Sequence, residues 1–420
     1  MSEWKRYKLS DLYEMSSGIS STKEQAGHGS PFLSFSVVFN NYFLPDSLID
    51  LMDTTDGDKQ KYSINEGDIF LTRTSETVDE LAMSSVALKD YPEASFSGFL
   101  KRLRPVDKRI VYPKFMAFYL RSPLFRRTII NNTVMTLRAS FNEAMFSYLE
   151  IMLPDFDTQK KIGDFLYSLE KKKQTNNQIN QELEAMAKTL YDYWFVQFDF
   201  PDQDGKPYKS SGGKMVYNLE LKREIPEGWE VEKLGDMAQF KNGINYEKTS
   251  SGSEKVKIIN VRNISSSTIF INQTDLDEIF LENDKSTNFI VNEGMILITR
   301  SGIPGATRLV SELEAKTVYS GFIIASEVND LIYKNLIFYY LKHVEEVLKN
   351  QSAGTIMKNI SQSVLTDMAV SLPPQNVLLK FNSIIDNLLE QMKNVQRQNQ
   401  ELTQLRDWLL PMLMNGQVII

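Results

Sequence analysis

The sequence predicts an α+β protein with two similar globular modules and two long helices that form an antiparallel coiled coil with pseudo-twofold symmetry. Two observations lead to this prediction. The chain contains one large internal repeat, and each copy ends in a Leu-Pro pair followed by a long heptad pattern. A twofold repeat of this size indicates two modules of one fold rather than a solenoid, which stacks many short units.

The repeat defines module 1 as residues 1–154 and module 2 as residues 226–373. Within the modules, short apolar runs bounded by turn residues predict strands at 31–39, 68–72, 256–261 and 295–299. The matched segments are Trp4 with Trp229, Glu66–Arg73 with Glu293–Arg300, Ser97–Phe99 with Ser320–Phe322, and Leu153-Pro154 with Leu372-Pro373.

Further elements follow from periodicity and composition. Apolar residues at helical spacing over 112–130 predict a pair of helices broken at Pro123. Residues 155–198 and 374–420 are predicted to be the two long spacer helices. Between them, Pro, Gly, Ser and Asp cluster over residues 199–225, which predicts a linker.

The two long helices carry matching seams with the alternating three- and four-residue steps of a heptad. Two narrow seams of equal length favour pairing of the helices with each other, although a helix that packs on its own module also shows an apolar stripe. Seam positions are predicted at Ile162, Phe165, Leu169, Ile179 and Leu183 in the first helix and at Phe381, Ile384, Leu388, Leu402 and Leu405 in the second.

Composition excludes several classes of protein. No apolar run approaches the length of a membrane span, and the first residues lack an apolar signal core, so we expect a cytoplasmic protein. The chain has no cysteine and only two histidines, which argues against disulfides and imidazole or thiolate metal sites. No phosphate-binding or adenosyl-binding glycine-rich loop is recognisable, so we predict no catalytic, cofactor-binding or metal-binding residues in this chain.

Charge distribution points to nucleic acid more than net charge does. The formal net charge is −7, yet the segment from Lys101 to Arg138 contains ten basic residues and a single acid. A solvated basic face is one interpretation of this segment, and a surface that contacts phosphates is the other.

The order of these features resembles the specificity (S) subunit of Type I DNA restriction-modification systems. The resemblance covers essentially the whole chain and is most specific at 193–200, 204–213 and 225–229, with Gln159 and Gln375 after each Leu-Pro pair. It implies two target recognition domains, each reading one half of a bipartite asymmetric sequence in double-stranded DNA. It also implies spacer helices that dock two methyltransferase (M) subunits, to which restriction/translocase (R) subunits can add. In such complexes the M subunits methylate adenine with S-adenosylmethionine, and the S subunit is not catalytic.

Candidate DNA contacts follow from residue type and position, because Arg, Lys and hydroxyl side chains make most contacts to phosphates and base edges. The best pair is Arg73 and Arg300, each beside hydroxyls after a predicted strand; the alternative is an arginine that forms a salt bridge within its own module. The candidates are Thr72, Arg73, Ser75, Lys101, Arg102, Arg104, Arg138, Thr299, Arg300, Ser301 and Lys358.

Two other functions stay open at this point. A coiled-coil scaffold that binds protein partners would share the helices, but the basic segment argues against it. An autonomous nuclease or methyltransferase lacks recognisable catalytic residues. Five aromatic residues at the end of the first long helix could cover a partner or the join between helix and module: Tyr191, Tyr193, Trp194, Phe195 and Phe198.

Overall fold

The computed structural model describes residues 4–77, 80–133, 139–246, 252–350 and 359–418. The chain divides into two compact units. Unit 1 comprises Met1–Thr175 and Gln398–Ile420, and unit 2 comprises Asn176–Arg397. Each unit therefore contains one module together with a part of each long helix.

The elements of unit 1 alternate short strands with short helices. Its strands are β1 (Lys5–Lys8), β2 (Tyr13–Ser17), β3 (Ala26–Leu33), β4 (Leu51–Met52), β5 (Ile69–Thr72), β6 (Thr74–Ser75), β7 (Ser84–Val86), β8 (Ser95–Phe96), β9 (Leu100–Pro105), β10 (Ala139–Ser140) and β11 (Glu150–Leu153). Its helices are α1 (Leu9–Leu12), α2 (Phe35–Asn40), α3 (Asp56–Lys61), α4 (Pro113–Tyr119), α5 (Pro123–Asn132), α6 (Glu143–Tyr148), the first part of α7 (Phe156–Tyr191) and a 3₁₀ turn, Lys23–Gln25.

Unit 2 repeats this order of elements. Its strands are β12 (Met215–Asn218), β13 (Arg223–Pro226), β14 (Glu230–Lys233), β15 (Ala238–Asn242), β16 (Glu254–Ile259), β17 (Asp277–Leu281), β18 (Ile296–Thr299), β19 (Thr307–Leu309), β20 (Thr317–Tyr319), β21 (Ile323–Val328) and β22 (Ala369–Leu372). Its helices are α8 (Leu234–Met237), α9 (Val261–Ser265), α10 (Asn283–Ser286), α11 (Lys334–Asn350), α12 (Gln362–Thr366) and the first part of α13 (Gln375–Met414), with a π-helix at Asp192–Val196 and 3₁₀ turns at Gln273–Asp275, Thr287–Phe289 and Leu331–Tyr333.

The sheets of the two units have the same topology. Unit 1 contains a four-stranded antiparallel sheet of order β2-β9-β5-β7 and a three-stranded sheet of order β4-β3-β8. Unit 2 contains β15-β21-β18-β19 and β17-β16-β20 in the same places. In each three-stranded sheet one pair is parallel, β3 with β8 and β16 with β20. The α+β class and the twofold repeat are confirmed.

The central strand of each four-stranded sheet explains why the repeat is strongest there. All four residues of β5 and all four of β18 are buried, because each strand lies between two partners and has both faces covered. A strand buried on both faces requires a continuous apolar run rather than alternation. Ile69-Phe70-Leu71 and Ile296-Leu297-Ile298 supply these runs.

Two predicted strands, at 31–39 and 256–261, end earlier than expected, and the second ends at Ile259. The apolar run at 31–39 is a strand only to Leu33, and α2 begins after Ser34. Phe35 and Phe39 stack at the four-residue spacing of a helix, with ring centroids 5.8 Å apart, while Val38 enters the core.

The predicted helix pair is confirmed: α5 begins with Pro123, and the Ser122 hydroxyl accepts a hydrogen bond from the Phe125 N–H.

The long helices pack against each other within each unit. In unit 1, Arg406 of α13 donates to Glu170 of α7 at 3.3 Å, and Leu166 shares a core with Leu410. In unit 2, the Phe381 ring of α13 lies 4.7 Å from the Phe195 ring, which follows α7. The early part of α7 therefore meets the late part of α13 in unit 1, and the reverse holds in unit 2, as expected of antiparallel helices.

Every second position of the apolar seam between the two helices lies one residue later in the sequence than predicted. Ile162, Leu183, Phe381 and Leu388 are buried, and Phe165, Leu169 and Leu402 are half-buried, but Ile179, Ile384 and Leu405 are exposed, so those three assignments are wrong. The alternate seam positions are instead filled by Leu166, Ala187, Ile385 and Met392, all buried.

The segment predicted as a linker has a packed structure. Asp199 accepts hydrogen bonds from the Ser210 N–H at 2.7 Å and from its hydroxyl at 2.6 Å, and these bonds lower the pKa of the Asp199 carboxyl. The Phe200 and Tyr208 rings stack with centroids 4.7 Å apart, and β12 and β13 form a hairpin. Of the predicted aromatic group, Tyr191, Trp194, Phe195 and Phe198 are buried in this core, whereas Tyr193 is exposed. No described helix is both long and apolar enough to cross a membrane.

We predict that the corrected seam can be measured with two adjacent substitutions. Ile385 has 0 % exposure and Ile384 has 43 %. Ile385→Ala should lower the free energy of unfolding by about 2–5 kcal/mol, because it leaves a cavity in a packed core. Ile384→Ala removes the same atoms from a half-solvated site and should cost less than about 1 kcal/mol. Urea denaturation of both variants tests the assignment, and equal losses would contradict it.

Candidate nucleic-acid interface

The two predicted arginines follow the central strands and are held by equivalent main-chain bonds. The Arg73 N–H donates to the Phe99 carbonyl at 2.8 Å, and the Arg73 carbonyl accepts from the Phe141 N–H at 2.9 Å. In unit 2, the Arg300 N–H donates to the Phe322 carbonyl at 2.8 Å, and the Arg300 carbonyl accepts from Ile360 at 2.9 Å. We call this four-bond arrangement, one pair in each unit, the arginine clamp.

The clamp fixes the backbone and leaves the guanidinium groups in solvent. The Arg73 and Arg300 side chains are both exposed. Arg73 Nη1 makes a long contact of 3.5 Å to the Gly98 carbonyl. Within the part of the chain that the structure describes, neither arginine forms a salt bridge with a carboxylate. The described residues therefore give no support to the alternative of an arginine paired within its own module.

The threonines before these arginines are structural. Thr72 and Thr299 are fully buried at the ends of β5 and β18. The Thr72 hydroxyl accepts from the Met83 N–H at 2.9 Å, and the Thr299 hydroxyl accepts from the Ala306 N–H at 3.0 Å. Each hydroxyl also donates to a carbonyl of the following loop, Glu80 and Ile303 respectively. Both were predicted to contact DNA, and burial makes that prediction wrong.

The serines beside the clamp are half-buried and remain reachable from solvent. The Ser75 hydroxyl accepts from the Thr77 N–H at 3.2 Å and lies 3.5 Å from Glu80 Oε2. Ser301 directly follows Arg300 and is also half-buried. Arg138 and Lys358 lie outside the described residues.

The three cations of β9 are bonded within unit 1; two of them are buried and the third is half-buried. Lys101 is buried, and its Nζ donates to the Ser17 hydroxyl at 2.9 Å. Arg102 is buried and donates to the Ser63 carbonyl at 2.6 Å. Burial lowers the pKa of Arg102, and the neighbouring Arg104 guanidinium lowers it further.

Arg104 forms a two-pronged ion pair with a fully buried carboxylate. Its Nε and Nη2 donate to the two Asp68 oxygens at 2.8 and 2.6 Å, and this bonding raises the pKa of Arg104. Lys101 and Arg102 were predicted to contact phosphates, and their burial makes this wrong. Arg104 is half-buried, so its predicted phosphate contact stays a prediction. The equivalent strand of unit 2, β21, has Ile324, Ala325 and Glu327 in their places.

Three further cations of the basic segment are bonded to buried or half-buried groups of unit 1, whereas Lys108, Arg109 and Arg127 are exposed. Arg121 donates to the carbonyls of Ser84, Val38, Phe39 and Asn41 at 2.6–3.0 Å, and burial lowers its pKa to about 10. Lys114 pairs with Asp164, and Arg126 donates to the Leu81 carbonyl. Arg109 pairs with Asp107 at the surface, and its side chain is 90 % exposed. The segment is therefore mainly a set of structural cations rather than one continuous phosphate-binding surface.

An aromatic residue beside each arginine was not among the predicted site residues. Phe99 and Phe322, whose carbonyls receive the clamp bonds, are 66 % and 62 % exposed. The available signal was their place in the repeated Ser-Gly-Phe segment, where the same large apolar residue follows a glycine in a turn.

Comparison with known proteins agrees with the duplicated fold. The family described as Type I restriction modification DNA specificity domain matches residues 1–185 and 226–404. The HindI specificity subunit of Haemophilus influenzae is 23% identical over 477 aligned positions, covering 100% of both chains. The MjaIX specificity subunit of Methanocaldococcus jannaschii is 28% identical over 275 positions, which cover 64% of this chain and 61% of that relative.

A solved structure supports the fold independently. The S subunit of the Type I restriction-modification system from M. genitalium aligns with a TM-score of 0.54 and 15% identity, covering 98% of this chain and 96% of that one. The family match occurs twice, and it includes both copies of the arginine clamp. This chain belongs to the Type I restriction-modification DNA specificity family.

Proposed function

We propose that this chain is the non-catalytic subunit that reads a bipartite, asymmetric DNA sequence, one half with each module. The observation that carries the proposal is the arginine clamp, which recurs with the same bonds in both units and leaves a guanidinium in solvent each time. Arginine is the commonest reader of guanine edges and also binds phosphates, so one preset arginine in each unit suits two half-sites.

Partner subunits would carry out the chemistry. Two methyltransferase (M) subunits would dock on the long helices and methylate adenine with S-adenosylmethionine, and restriction/translocase (R) subunits would add cleavage. The whole assembly would act on chromosomal and invading DNA in the cytoplasm. The similar S subunits named above, and the family to which this chain belongs, support this assignment.

The first prediction is that DNA binding is sequence-specific and depends on salt. With the partner M subunits present, the logarithm of the association constant should fall linearly with the logarithm of salt concentration, because phosphate contacts release counterions. The half-sites are first identified from the methylated positions in a genome that carries the system. Fluorescence anisotropy with a cognate duplex and with a duplex scrambled in both halves provides the measurement. A protein-binding scaffold would show neither the sequence preference nor the salt dependence.

The second prediction separates reading residues from structural cations. Arg73→Ala and Arg300→Ala should each lower affinity for one half-site by about 1–3 kcal/mol, and the affected halves should differ. Neither substitution should change the thermal midpoint much, because both side chains are exposed.

Arg104→Ala serves as the matched control for loss of an arginine in unit 1. It leaves the buried Asp68 carboxylate without its partner and should lower the free energy of unfolding by about 3 kcal/mol. Binding is then compared at a temperature where this variant is folded. Loss of half-site affinity from Arg104→Ala alone, with Arg73→Ala unchanged, would reverse the assignment of roles.

The third prediction concerns the long helices as a spacer. Removing one heptad from both α7 and α13 should shorten the gap between recognised half-sites by about 10 Å, roughly 3 base pairs, while each half-site stays the same. Sequencing of methylated sites measures the gap directly. Removing a heptad from only one helix is the control, since it mismatches the pair and should impair assembly. An unchanged gap after the double deletion would remove the spacer role.

A further inference from the structure

The Ser-Gly-Phe turns of the two units have the same backbone geometry. In unit 1 the Leu100 N–H donates to the Ser97 carbonyl at 2.9 Å, and in unit 2 the Ile323 N–H donates to the Ser320 carbonyl at 2.9 Å. These bonds close a four-residue turn before β9 and before β21. The third residue of each turn is the exposed phenylalanine, Phe99 or Phe322.

A second chain segment fixes each turn from the other side. The Gly98 N–H donates to the Ile19 carbonyl at 2.7 Å, and the Gly321 N–H donates to the Ile244 carbonyl at 2.7 Å. The approach requires glycine before the isoleucine. A Cβ on Gly18 would lie 2.2 Å from the Ser97 carbonyl oxygen, and one on Gly243 would lie 2.3 Å from that of Ser320. Together with the arginine clamp, these contacts fix the backbone position of each phenylalanine.

Both phenylalanines are exposed although the residues that follow them are fully buried. Leu100 and Ile323 have no exposed surface, so each turn directs one apolar side chain inward and the preceding aromatic one outward. A single exposed apolar residue is common and means little on its own. Here the same aromatic residue is exposed at the same turn in two units, beside an exposed arginine whose N–H binds its carbonyl.

We infer that Phe99 and Phe322 are DNA contacts that insert at a base step of the two half-sites, while Arg73 and Arg300 bind the adjacent phosphates or base edges. This inference rests on the proposed function and adds to it a second, apolar contact in each module. Phenylalanine wedges partially unstack a base step in several DNA-binding proteins, and aromatic rings gain energy by stacking on bases. A side chain that inserts between bases must extend from a rigid backbone, and the turn, the glycine contact and the clamp provide that rigidity.

The neighbouring groups favour DNA over a protein as the occupant. Arg73 and Arg300 are cations without a carboxylate partner in the described residues, and the hydroxyls of Ser75 and Ser301 lie close by in sequence. A cation with hydroxyls beside an aromatic ring matches the phosphates and stacked bases of DNA. Docking of an M subunit on the same phenylalanines is the competing outcome of the test.

The experiment uses the full chain with its M subunits and a cognate duplex carrying 2-aminopurine at one position per half-site. Emission from 2-aminopurine rises when the base is unstacked, so wild-type protein should increase it at a step in each half. Phe99→Ala and Phe322→Ala should abolish the increase in one half each and weaken binding between about 5-fold and 150-fold. Phe99→Trp and Phe322→Trp should retain binding within about 3-fold, since an aromatic face is preserved.

Exposed aliphatic residues in the same units serve as controls. Val106 is 60 % exposed and Leu331 is 77 % exposed. Val106→Ala and Leu331→Ala should change neither binding nor emission. Co-purification of the M subunits should be unaffected in every variant.

Each contrary result overturns the inference in a distinguishable way. Wild-type affinity and emission in both alanine variants would show that the phenylalanines do not contact bases. Loss of M-subunit co-purification in those variants would assign the residues to a protein interface. If the wild-type complex itself binds cognate and scrambled duplexes equally, the proposed function fails first and the inference fails with it.

Discussion

Main-chain hydrogen bonding at the end of the central strand is the constraint on which the candidate interface depends. The backbone of Arg73 is bonded to Phe99 on one side and to Phe141 on the other, and Arg300 is bonded in the same way to Phe322 and Ile360. Because these bonds join main-chain atoms, they do not depend on the side chains, and the surrounding loops can change sequence without moving the strand end. This explains how two units with different loops retain one geometry for the arginine and the aromatic turn.

The distribution of charge has a consequence for how the protein discriminates sequences. Arg102, Arg104 and Arg121 donate hydrogen bonds to groups of unit 1, so only part of the positive charge in this stretch of sequence lies at the surface. A broad basic face would add affinity for any DNA, because phosphate contacts are independent of sequence. Because Arg102, Arg104 and Arg121 are bonded within unit 1, they would add less of this sequence-independent affinity than the charge of the segment suggests.

Sequence reasoning succeeded where local pattern and tertiary environment agree. The repeat, β5 and β18 and the break at Pro123 follow from apolar runs and proline chemistry, which operate over a few residues. The phase of the long seam could not be resolved, because doublets such as Phe165-Leu166 and Ile384-Ile385 offer an apolar residue to either heptad phase. The burial of several cations in the basic segment could not be predicted from the sequence either. Arg121 is satisfied by carbonyls of residues about 40 and 80 positions away in sequence, which no local pattern encodes.

The polar interiors show that the two units share a fold without sharing its stabilising ion pair. Unit 1 buries Asp68 against Arg104 on β9, whereas unit 2 buries Glu345 of α11 against Arg308 on β19, at 2.9 Å. Replacing one partner of a buried ion pair leaves an unpaired buried charge and strongly destabilises the fold, so both partners must be kept together. Both partners of each pair, and the main core around each four-stranded sheet, lie inside a single unit. Each unit therefore holds its own core and its own buried ion pair. If each unit reads one half-site as proposed, replacing one unit as a block should change that half-site alone.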